Sequence, residues 1–190
     1  MEKLIKEIRT CTHCEPNLPC GANPILRANK NSKIALVSQA PGRVVHNSGV
    51  DWTDKSGQKL REWLDVTEDQ FYNTDNFAVV PISFCYPGKG KTGDLPPRKE
   101  CAPLWHDSVF GHFENLKLTI LIGAYATRYY LPKTKNLTSA VQNFETALPD
   151  FFPLPHPSPL NQIWRSKNRW FGKSTVPELR KSVHGILRKT

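Results

Sequence analysis

The chain has 190 residues, with 26 Lys and Arg against 17 Asp and Glu, which gives a formal charge of +9 at neutral pH. We expect a single domain over residues 1–190 that acts as a monomer. The basic residues are spread along the chain, which favours a nucleic-acid partner, although a basic surface that serves solubility would give the same pattern. No apolar run approaches the ~20 residues of a bilayer-spanning helix, and the charged N-terminus does not resemble a signal peptide, so we expect no membrane partner and a cytoplasmic location.

The first half of the chain predicts two helices and a buried strand. Residues 2–9 predict a short helix, and residues 10–32 form an irregular segment rich in Cys, Pro and Gly. KIALVSQ (33–39) is a compact apolar run typical of a buried strand, and the APG that follows ends it. After a polar loop, SGQKLREWL (56–64) predicts a helix with Ser56 as its N-cap. The apolar face of that helix comprises Leu60, Trp63 and Leu64.

From residue 77 onward the chain alternates strands with helices. Strands are predicted over 77–84, 116–123 and 151–155, and helices over about 98–113, 123–131, 137–145 and 174–188. This alternation favours an α/β fold in three layers, α/β/α, with a central four-stranded parallel sheet. In such folds ligands bind beyond the carboxyl ends of the strands. We therefore expect the loops after three strands, VSQAPG, ISFCYPG and LPHPSP, to line one cleft.

One histidine lies in an unusual setting near the C-terminus, in the stretch LPHPSPLNQIWRSKNRWF (154–171). Pro155 and Pro157 flank His156, and because proline fixes its own φ and biases the preceding residue toward extended geometry, His156 should lie on a stiff, non-helical loop. The loop could serve to aim the imidazole at a ligand. The alternative is a histidine that merely bonds to a loop carbonyl.

Three segments together resemble a known family. VSQAPG (37–42) is similar to the first motif of the uracil-DNA glycosylase superfamily, and HPSPL (156–160) to its second motif. GVDW (49–52), followed by SGQ (56–58), resembles the Gly-Arg-Pro-Phe segment of the iron-sulfur branch of that superfamily. The resemblance covers nearly the whole chain. It implies the uracil-DNA glycosylase fold and an enzyme that flips uracil or another damaged or modified base out of DNA, hydrolyses its N-glycosidic bond and leaves an abasic site.

The resemblance also implies roles for individual residues. His156 would donate to the departing base anion, and Leu160 would fill the stack that the base left. Trp52 would stack on the flipped base, although it could be an ordinary rim or core aromatic. Further members of the predicted site are Ala40 in the base pocket, Ser158 on DNA, and Arg165, Lys167 and Arg169 on phosphates beside the lesion. For the neighbouring tryptophans, Trp164 and Trp170, we expect core packing.

The sequence departs from the family pattern at two positions, one that concerns activation of water and one that concerns recognition of the base. The first motif usually carries Asp, Asn or Glu to orient or activate water, but here Gln39 offers only an amide, which cannot act as a base. His46, Asp51 and Asp54 on the following loop could substitute, and Asp54 is the best of them. The iron-sulfur branch also places an Asn, which reads uracil, four residues before its third cysteine. Pro81 stands there, so the expected readers are Ser83 or the backbone.

The chain has five cysteines, which would stay reduced in the cytoplasm and so indicate a metal site rather than disulfides. Cys11 and Cys14 form a C-x2-C pair, and Cys85 and Cys101 lie far downstream. This set is similar to the ligands of the [4Fe-4S] cluster in the iron-sulfur branch, which implies a structural cluster. The C-x2-C pair suits zinc equally well, and no metal at all is the remaining alternative. Cys20 has no counterpart in the pattern.

The sequence leaves other functions open beside a DNA-repair glycosylase. One is a non-catalytic or very slow protein of the same fold that binds DNA with an unusual base, which the missing acidic residue of the first motif would permit. A second is a glycosylase that acts on modified bases of foreign DNA. A third is a metal-dependent nucleic-acid module with a vestigial cleft. Turnover on lesion-bearing DNA separates a glycosylase from the non-catalytic functions, and metal removal that abolishes DNA binding while leaving the fold intact would favour the metal-dependent module.

Overall fold

A computed structural model describes residues 1–188, and at its centre lies a parallel sheet of four strands in the order β2-β1-β3-β4. The strands are β1 (Ile34–Val37), β2 (Phe77–Val79), β3 (Leu118–Ile122) and β4 (Phe151–Leu154). All three pairings are parallel. The strands are almost continuously apolar because both faces of the sheet are covered. The predicted four-stranded parallel sheet is therefore confirmed.

Helices and short helical turns connect and cover the strands. The helices are α1 (Glu2–Arg9), α2 (Arg43–Ser48), α3 (Lys55–Leu64), α4 (Glu68–Tyr72), α5 (Cys101–Phe110), α6 (Ala124–Tyr130), α7 (Leu137–Gln142), α8 (Gln162–Lys167) and α9 (Val176–Leu187). Short 3-10 turns span Glu15–Asn17, Phe144–Ala147 and Pro159–Asn161, and one π-turn spans Phe171–Thr175. Within residues 1–188, none of the helices combines the length and apolar character needed to cross a bilayer.

The side chains of β1 alternate between two helical layers. Ile34 and Leu36 belong to a core that includes residues of α3, α4, α7 and α9. Ala35 packs with residues of α1 and α5, and Val37 packs with residues of α5 and α6. Successive residues of a strand face opposite sides of the sheet, so this division puts helices on both faces. The predicted three-layer α/β/α fold is confirmed.

Several local predictions need correction. Asp54, not Ser56, is the N-cap of α3, because its Oδ1 accepts a hydrogen bond from the Gly57 N–H at 3.0 Å. The second strand is shorter than predicted and ends at Val79, although the Val80 and Ile82 N–H groups beyond it still donate to the Leu36 and Ser38 carbonyls. The helices α2, α4 and α8 were not predicted. They have only five or six residues each, too few for helical periodicity to be visible in the sequence.

A buried arginine joins the irregular N-terminal segment to the sheet. The backbone of Arg27 pairs with Val79 at the edge of β2. Its guanidinium donates through Nε and Nη2 to the two oxygens of Asp51, both at 3.0 Å, and through Nη1 to the carbonyls of Phe71 and Phe77, both at 3.1 Å. The Arg27 and Asp51 side chains are only 15% and 10% exposed. The pair thus fixes the segment around Asp51 against β2 and α4.

We expect Arg27→Ala to lower the free energy of unfolding by about 3–5 kcal/mol, because it leaves the Asp51 carboxylate buried without its partner. Urea denaturation measures this change. The matched control is Lys30→Ala, which removes an ion pair with Glu114 whose side chains are both 59% exposed and should cost less than about 1 kcal/mol. Equal losses in the two variants would contradict the role given to Arg27.

Candidate functional site

A cleft of about 380 Å³ opens beyond the carboxyl ends of the strands. It is lined by the loops after β1, β2 and β4, together with the segment before α3. The predicted site residues that line it are Gln39, Ala40, Trp52, Asp54, His156, Ser158 and Leu160. These residues come from three stretches that are far apart in the sequence. A cleft at this edge of a parallel sheet is the usual ligand position in α/β folds.

His156 lies outside any helix or strand, as its flanking prolines predicted. The backbone N–H of Ser158 donates to its Nδ1 at 3.2 Å, so Nδ1 is the acceptor and the neutral ring carries its proton on Nε2. Burial lowers the pKa of His156 below its usual range, and the nearby Asp54 carboxylate partly offsets that shift. The imidazole is therefore neutral at neutral pH. Asn161 holds the loop by donating to the His156 carbonyl at 2.8 Å.

Trp52 forms the wall of the cleft beside His156. The two ring centroids are 5.9 Å apart and the ring planes differ by 29°. Trp52 has a φ of +54°, a left-handed conformation that costs a bulky residue of the order of 1–3 kcal/mol. Arg61 stabilises this conformation, since its Nη1 donates to the Trp52 carbonyl at 3.1 Å. The indole is therefore buried and held in place, and it belongs to the main hydrophobic core as well as lining the cleft.

Gly57 allows the Trp52 backbone to approach α3. A Cβ atom placed on Gly57 would lie 1.7 Å from the Trp52 carbonyl oxygen and 2.5 Å from its carbonyl carbon. Both are backbone atoms, which cannot rotate away as a flexible side chain could. The Ser-Gly-Gln segment thus needs glycine at its centre because the tryptophan backbone lies against it.

Three carboxylates line the cleft, and each has a hydrogen-bond partner in the protein. Asp51 is paired through both oxygens with Arg27, so its charge is already compensated. Asp54 caps α3 through Oδ1. The third, Asp94, accepts a hydrogen bond from the Tyr86 hydroxyl at 3.1 Å and was not predicted from the sequence. Its setting in GDLPP (93–97), a turn rich in Gly and Pro like the histidine loop, was the available signal.

The remaining predicted substitute for the missing acid is a histidine, His46. His46 does not line the cleft, and its ring packs against Tyr86 with centroids 5.8 Å apart. Its carbonyl accepts a hydrogen bond from Asn23 at 2.8 Å. His46 therefore supports the wall behind the cleft and is not in a position to contact a ligand there.

Uncharged polar side chains also face the cleft. Ser38, Gln39 and Ser56 line it, and within residues 1–188 none of their side chains has a hydrogen-bond partner. Pro81 lines it as well, but its carbonyl is occupied by a hydrogen bond with His106 Nε2 at 3.0 Å. Free amide and hydroxyl groups on a cleft wall are suited to bind the polar edge of a ligand.

Ser83, predicted as a base contact, lies elsewhere. Its side chain faces a second cavity, which also contains the cysteines, and its hydroxyl donates to the Cys85 carbonyl at 3.4 Å. The chain continues after Pro81 with Ile82 N–H bonded to the Ser38 carbonyl and Ser83 N–H bonded to the Gln39 carbonyl. Only the backbone of Ser83 is thus tied to the first motif. The structure thus places the Ser83 side chain outside the cleft, and its contact with a base stays a prediction.

Leu160 projects from the mouth of the cleft on the turn Pro159–Asn161 and is 86% exposed. Ser158 caps this turn, since its Oγ accepts the Leu160 N–H at 3.2 Å. Arg165 donates through Nη1 to the Ser158 carbonyl at 3.1 Å and so braces the same loop. Ile163, on α8, adds a second exposed apolar side chain. An apolar tip on a braced turn is suited to enter another molecule.

The other predicted phosphate contacts, Lys167 and Arg169, are exposed and do not line the cleft. Trp164 and Trp170 pack against the main core, and the Trp164 Nε1–H donates to Thr138 Oγ1 at 2.9 Å. Core packing of these two tryptophans is therefore confirmed. The assignment of Lys167 and Arg169 to DNA stays a prediction.

The four predicted cysteine ligands, Cys11, Cys14, Cys85 and Cys101, line the second cavity. Burial raises the pKa of the Cys85 thiol to about 11 and that of the Cys101 thiol to about 12. The Phe84 N–H donates to Cys101 Sγ at 3.3 Å. Cys20 is exposed and does not line this cavity. The apolar walls are formed by Leu18, Pro24, Phe84, Leu104 and Trp105.

The cavity places a cationic side chain near the cysteines, but its free volume is too small for a multi-atom group unless the thiol side chains move. Burial and the charge of Glu100 raise the pKa of the Cys14 thiol, and the Arg98 guanidinium only partly offsets that rise. Arg98 has a buried Nε without a hydrogen-bond partner in the described chain. Among residues 1–188, no three His, Cys, Asp or Glu side chains are arranged to hold a metal ion. The free space is about 20 Å³. A multi-atom cluster would therefore require the thiol side chains to turn outward around it.

A comparison with protein-family models gives a match over most of the chain. The model of the Uracil DNA glycosylase superfamily matches residues 27–180. The matched region includes all four strands, the cleft loops and the helices from α2 to α8. Cys11 and Cys14 lie outside it.

We expect Gly57→Ala to weaken ligand binding in the cleft at least tenfold, because the added methyl group displaces the Trp52 backbone. Alanine is about 1 kcal/mol better than glycine inside a helix, so without this contact the substitution would stabilise the chain. Binding of DNA with an unpaired or damaged base and thermal unfolding measure both effects. The control is Gly185→Ala in α9, where nothing lies within 4 Å of the added atom. A stabilised Gly57→Ala chain with unchanged binding would contradict the role of the glycine.

Proposed function

Because the chain belongs to the uracil DNA glycosylase superfamily, we propose that it is a DNA glycosylase, which hydrolyses the N-glycosidic bond of uracil or of another damaged or modified base and leaves an abasic site. The observation that carries this proposal is the neutral His156, whose Nδ1 is occupied by the Ser158 N–H, so that Nε2–H is the available donor in the cleft. A formal charge of +9 supports DNA as the substrate.

His156 acts on the charge that appears during bond cleavage. A pyrimidine leaves as an anion while the sugar gains positive character, and the Nε2–H donates to an oxygen of the departing base. A donor fixed in advance at such a position can contribute about 3 kcal/mol to the transition state. The prolines, the Ser158 N–H and Asn161 hold the ring, so little reorganisation is needed when the charge develops.

Base flipping requires a few kcal/mol for unstacking, and the chain has groups that can offset this cost. The exposed Leu160 is placed to enter the stack where the base left. Inside the cleft, Trp52 offers an aromatic face, and stacking on such a face contributes about 1–3 kcal/mol per base. Exposed Lys167 and Arg169 would contact the neighbouring phosphates.

For base identity we propose Ser38, Gln39 and Ser56 as the readers, in place of the asparagine that Pro81 replaces. Their hydroxyl and amide groups can each donate and accept, so they suit a base with both kinds of group on one edge. A site that hydrogen-bonds such an edge can reject analogues by ~10⁴-fold, whereas stacking discriminates much less. Uracil is the first candidate. Other deaminated bases and the modified bases of foreign DNA are the alternatives.

A DNA-binding protein with very slow or no turnover is the second candidate function. Two observations favour it: the first motif offers Gln39, which cannot accept a proton near neutral pH, and the Asp51 carboxylate is engaged by Arg27. Base release in a single-turnover assay separates an enzyme from a binding protein.

We further propose that Cys11, Cys14, Cys85 and Cys101 hold a [4Fe-4S] cluster, as in the iron-sulfur branch of the superfamily. The support is the shared cavity, the Phe84 N–H on Cys101 Sγ and the unpaired Arg98 nitrogen beside Cys14. The cluster would supply a structural cross-link rather than redox chemistry in the cleft. These cysteines would join the segment after α1 to the loop after β2 and to the start of α5. Zinc or no metal are the alternatives.

We expect the wild-type chain to release free base from at least one of four single-lesion oligonucleotides, which carry uracil, hypoxanthine, xanthine or hydroxymethylcytosine. His156→Ala should lower the single-turnover rate by about 10²–10³-fold while DNA affinity changes less than threefold, because the donor acts mainly in the transition state. Chromatography of the released base identifies the substrate. A chain that binds these DNAs but releases none of the bases would contradict the enzyme and favour the binding protein.

We expect protein prepared without oxygen to contain about four iron and four acid-labile sulfide atoms per chain. Cys101→Ser should lose both elements, whereas Cys20→Ser, which alters an exposed cysteine outside the cavity, should keep them. Metal and sulfide analysis of the three proteins decides the outcome. Zinc without sulfide would show a different metal site, and no metal in the wild type would exclude both.

A further inference from the structure

We infer that Asp94 supplies the carboxylate that orients and deprotonates the attacking water, in place of the acidic residue that the first motif lacks. This inference rests on the proposed glycosylase function. Asp94 lies on the loop between β2 and α5, more than fifty residues beyond the first motif, so the fold and not the sequence spacing brings it to the cleft.

The geometry around Asp94 aims one carboxylate oxygen at the first motif. Tyr86 is almost fully buried, and its hydroxyl donates to Asp94 Oδ1 at 3.1 Å. The other oxygen, Oδ2, lies 3.9 Å from the position that a Cβ on Gly42 would take. Gly42 ends VSQAPG, so this oxygen borders the loop where the family usually carries its acid. The carboxylate is therefore held by one oxygen and free at the other.

The backbone of the Asp94 loop is also fixed. Leu95 N–H donates to the Gly88 carbonyl at 2.8 Å, and Gly90 N–H donates to the Gly93 carbonyl at 2.6 Å. These bonds close a hairpin-like turn in which Lys89 and Asp94 form an antiparallel bridge. Burial, with the charge and hydrogen bond of Asp94, raises the pKa of Tyr86. Its hydroxyl therefore stays a donor, and the carboxylate keeps a defined orientation.

The other two cleft carboxylates are less suited to the task. Asp51 is paired through both oxygens with Arg27. Asp54 caps α3, and it is the carboxylate whose charge acts on the pKa of His156. A negative charge beside His156 would oppose the negative charge that develops on the leaving base. Asp94 is an exposed residue that borders Gly42 and Tyr86 instead, on the first-motif side of the cleft.

The proposed step balances as a simple hydrolysis. The water oxygen forms a bond to C1′ of the deoxyribose while the bond from C1′ to the base nitrogen breaks. The electron pair of that bond leaves with the base, and His156 Nε2–H stabilises the resulting anion. One water proton passes to the Asp94 carboxylate and then to solvent or to the released base. The products are the free base and an abasic site.

The test compares single-turnover base release by wild-type, Asp94→Ala, Asp54→Asn and Asp69→Ala chains on the substrate that the wild type cleaves. Asp94→Ala should be at least 100-fold slower with DNA affinity within threefold, since a general base contributes about 10²–10⁴-fold. Asp69→Ala, an exposed carboxylate on α4 outside the cleft, is the matched control and should keep the wild-type rate. Added formate, a small carboxylate, should restore part of the rate to Asp94→Ala alone.

Each outcome decides the assignment. A slow Asp94→Ala chain that formate rescues supports it, and Asp94→Ala activity within tenfold of the wild type overturns it. A loss that formate does not rescue would overturn the role in proton transfer and leave Asp94 only a structural one. If Asp54→Asn loses base release while Asp94→Ala stays active, the role belongs to Asp54. Asn at this position still caps the helix but carries no charge, so the loss would reflect the missing carboxylate. A wild-type chain that releases no base overturns both this assignment and the proposed function.

Discussion

The bidentate pair between Arg27 and Asp51 is the interaction on which the cleft depends. It links the edge of β2 to the residue immediately before Trp52, and the same guanidinium also binds the carbonyls of Phe71 and Phe77. A second tie acts at the same point, since the Tyr72 hydroxyl donates to the Asp51 carbonyl at 2.9 Å. Trp52 can remain in a left-handed conformation because its neighbour cannot move.

The two walls of the cleft are fixed by different means. On the Trp52 side, a buried ion pair, Arg61 and the absence of a Cβ at Gly57 hold the backbone. On the His156 side, prolines restrict the loop, and Ser158 and Asn161 bond to the ring and the carbonyl of the histidine. Such a site needs little rearrangement to receive a base, which is the condition under which a fixed donor is most effective. On the proposed function, most of the conformational change on binding is then expected in the DNA.

Structure that depends on neighbouring residues, such as strands and stiff loops, was predictable from the sequence. Contacts between residues far apart in the sequence were not. The apolar runs predicted the four strands, and the flanking prolines predicted the stiff loop at His156. The Arg27–Asp51 pair joins residues 24 positions apart, and nothing in either local sequence indicates the other. Asp94 likewise reaches the cleft only through the fold. The Ser83 side chain lies outside the cleft because the consecutive N–H groups of Ile82 and Ser83 both donate to the first motif, which breaks the alternation of a regular strand at this point.

The central claim is that the two walls of the cleft hold a neutral His156 with its proton on Nε2. Nitrogen-15 NMR of histidine-labelled protein tests it directly, and His156→Ala identifies the resonances of this ring among the six histidines. The account predicts, at pH 7, a bare Nδ1 that accepts the Ser158 N–H and a protonated Nε2. A doubly protonated ring, or a neutral ring with its proton on Nδ1, would contradict it.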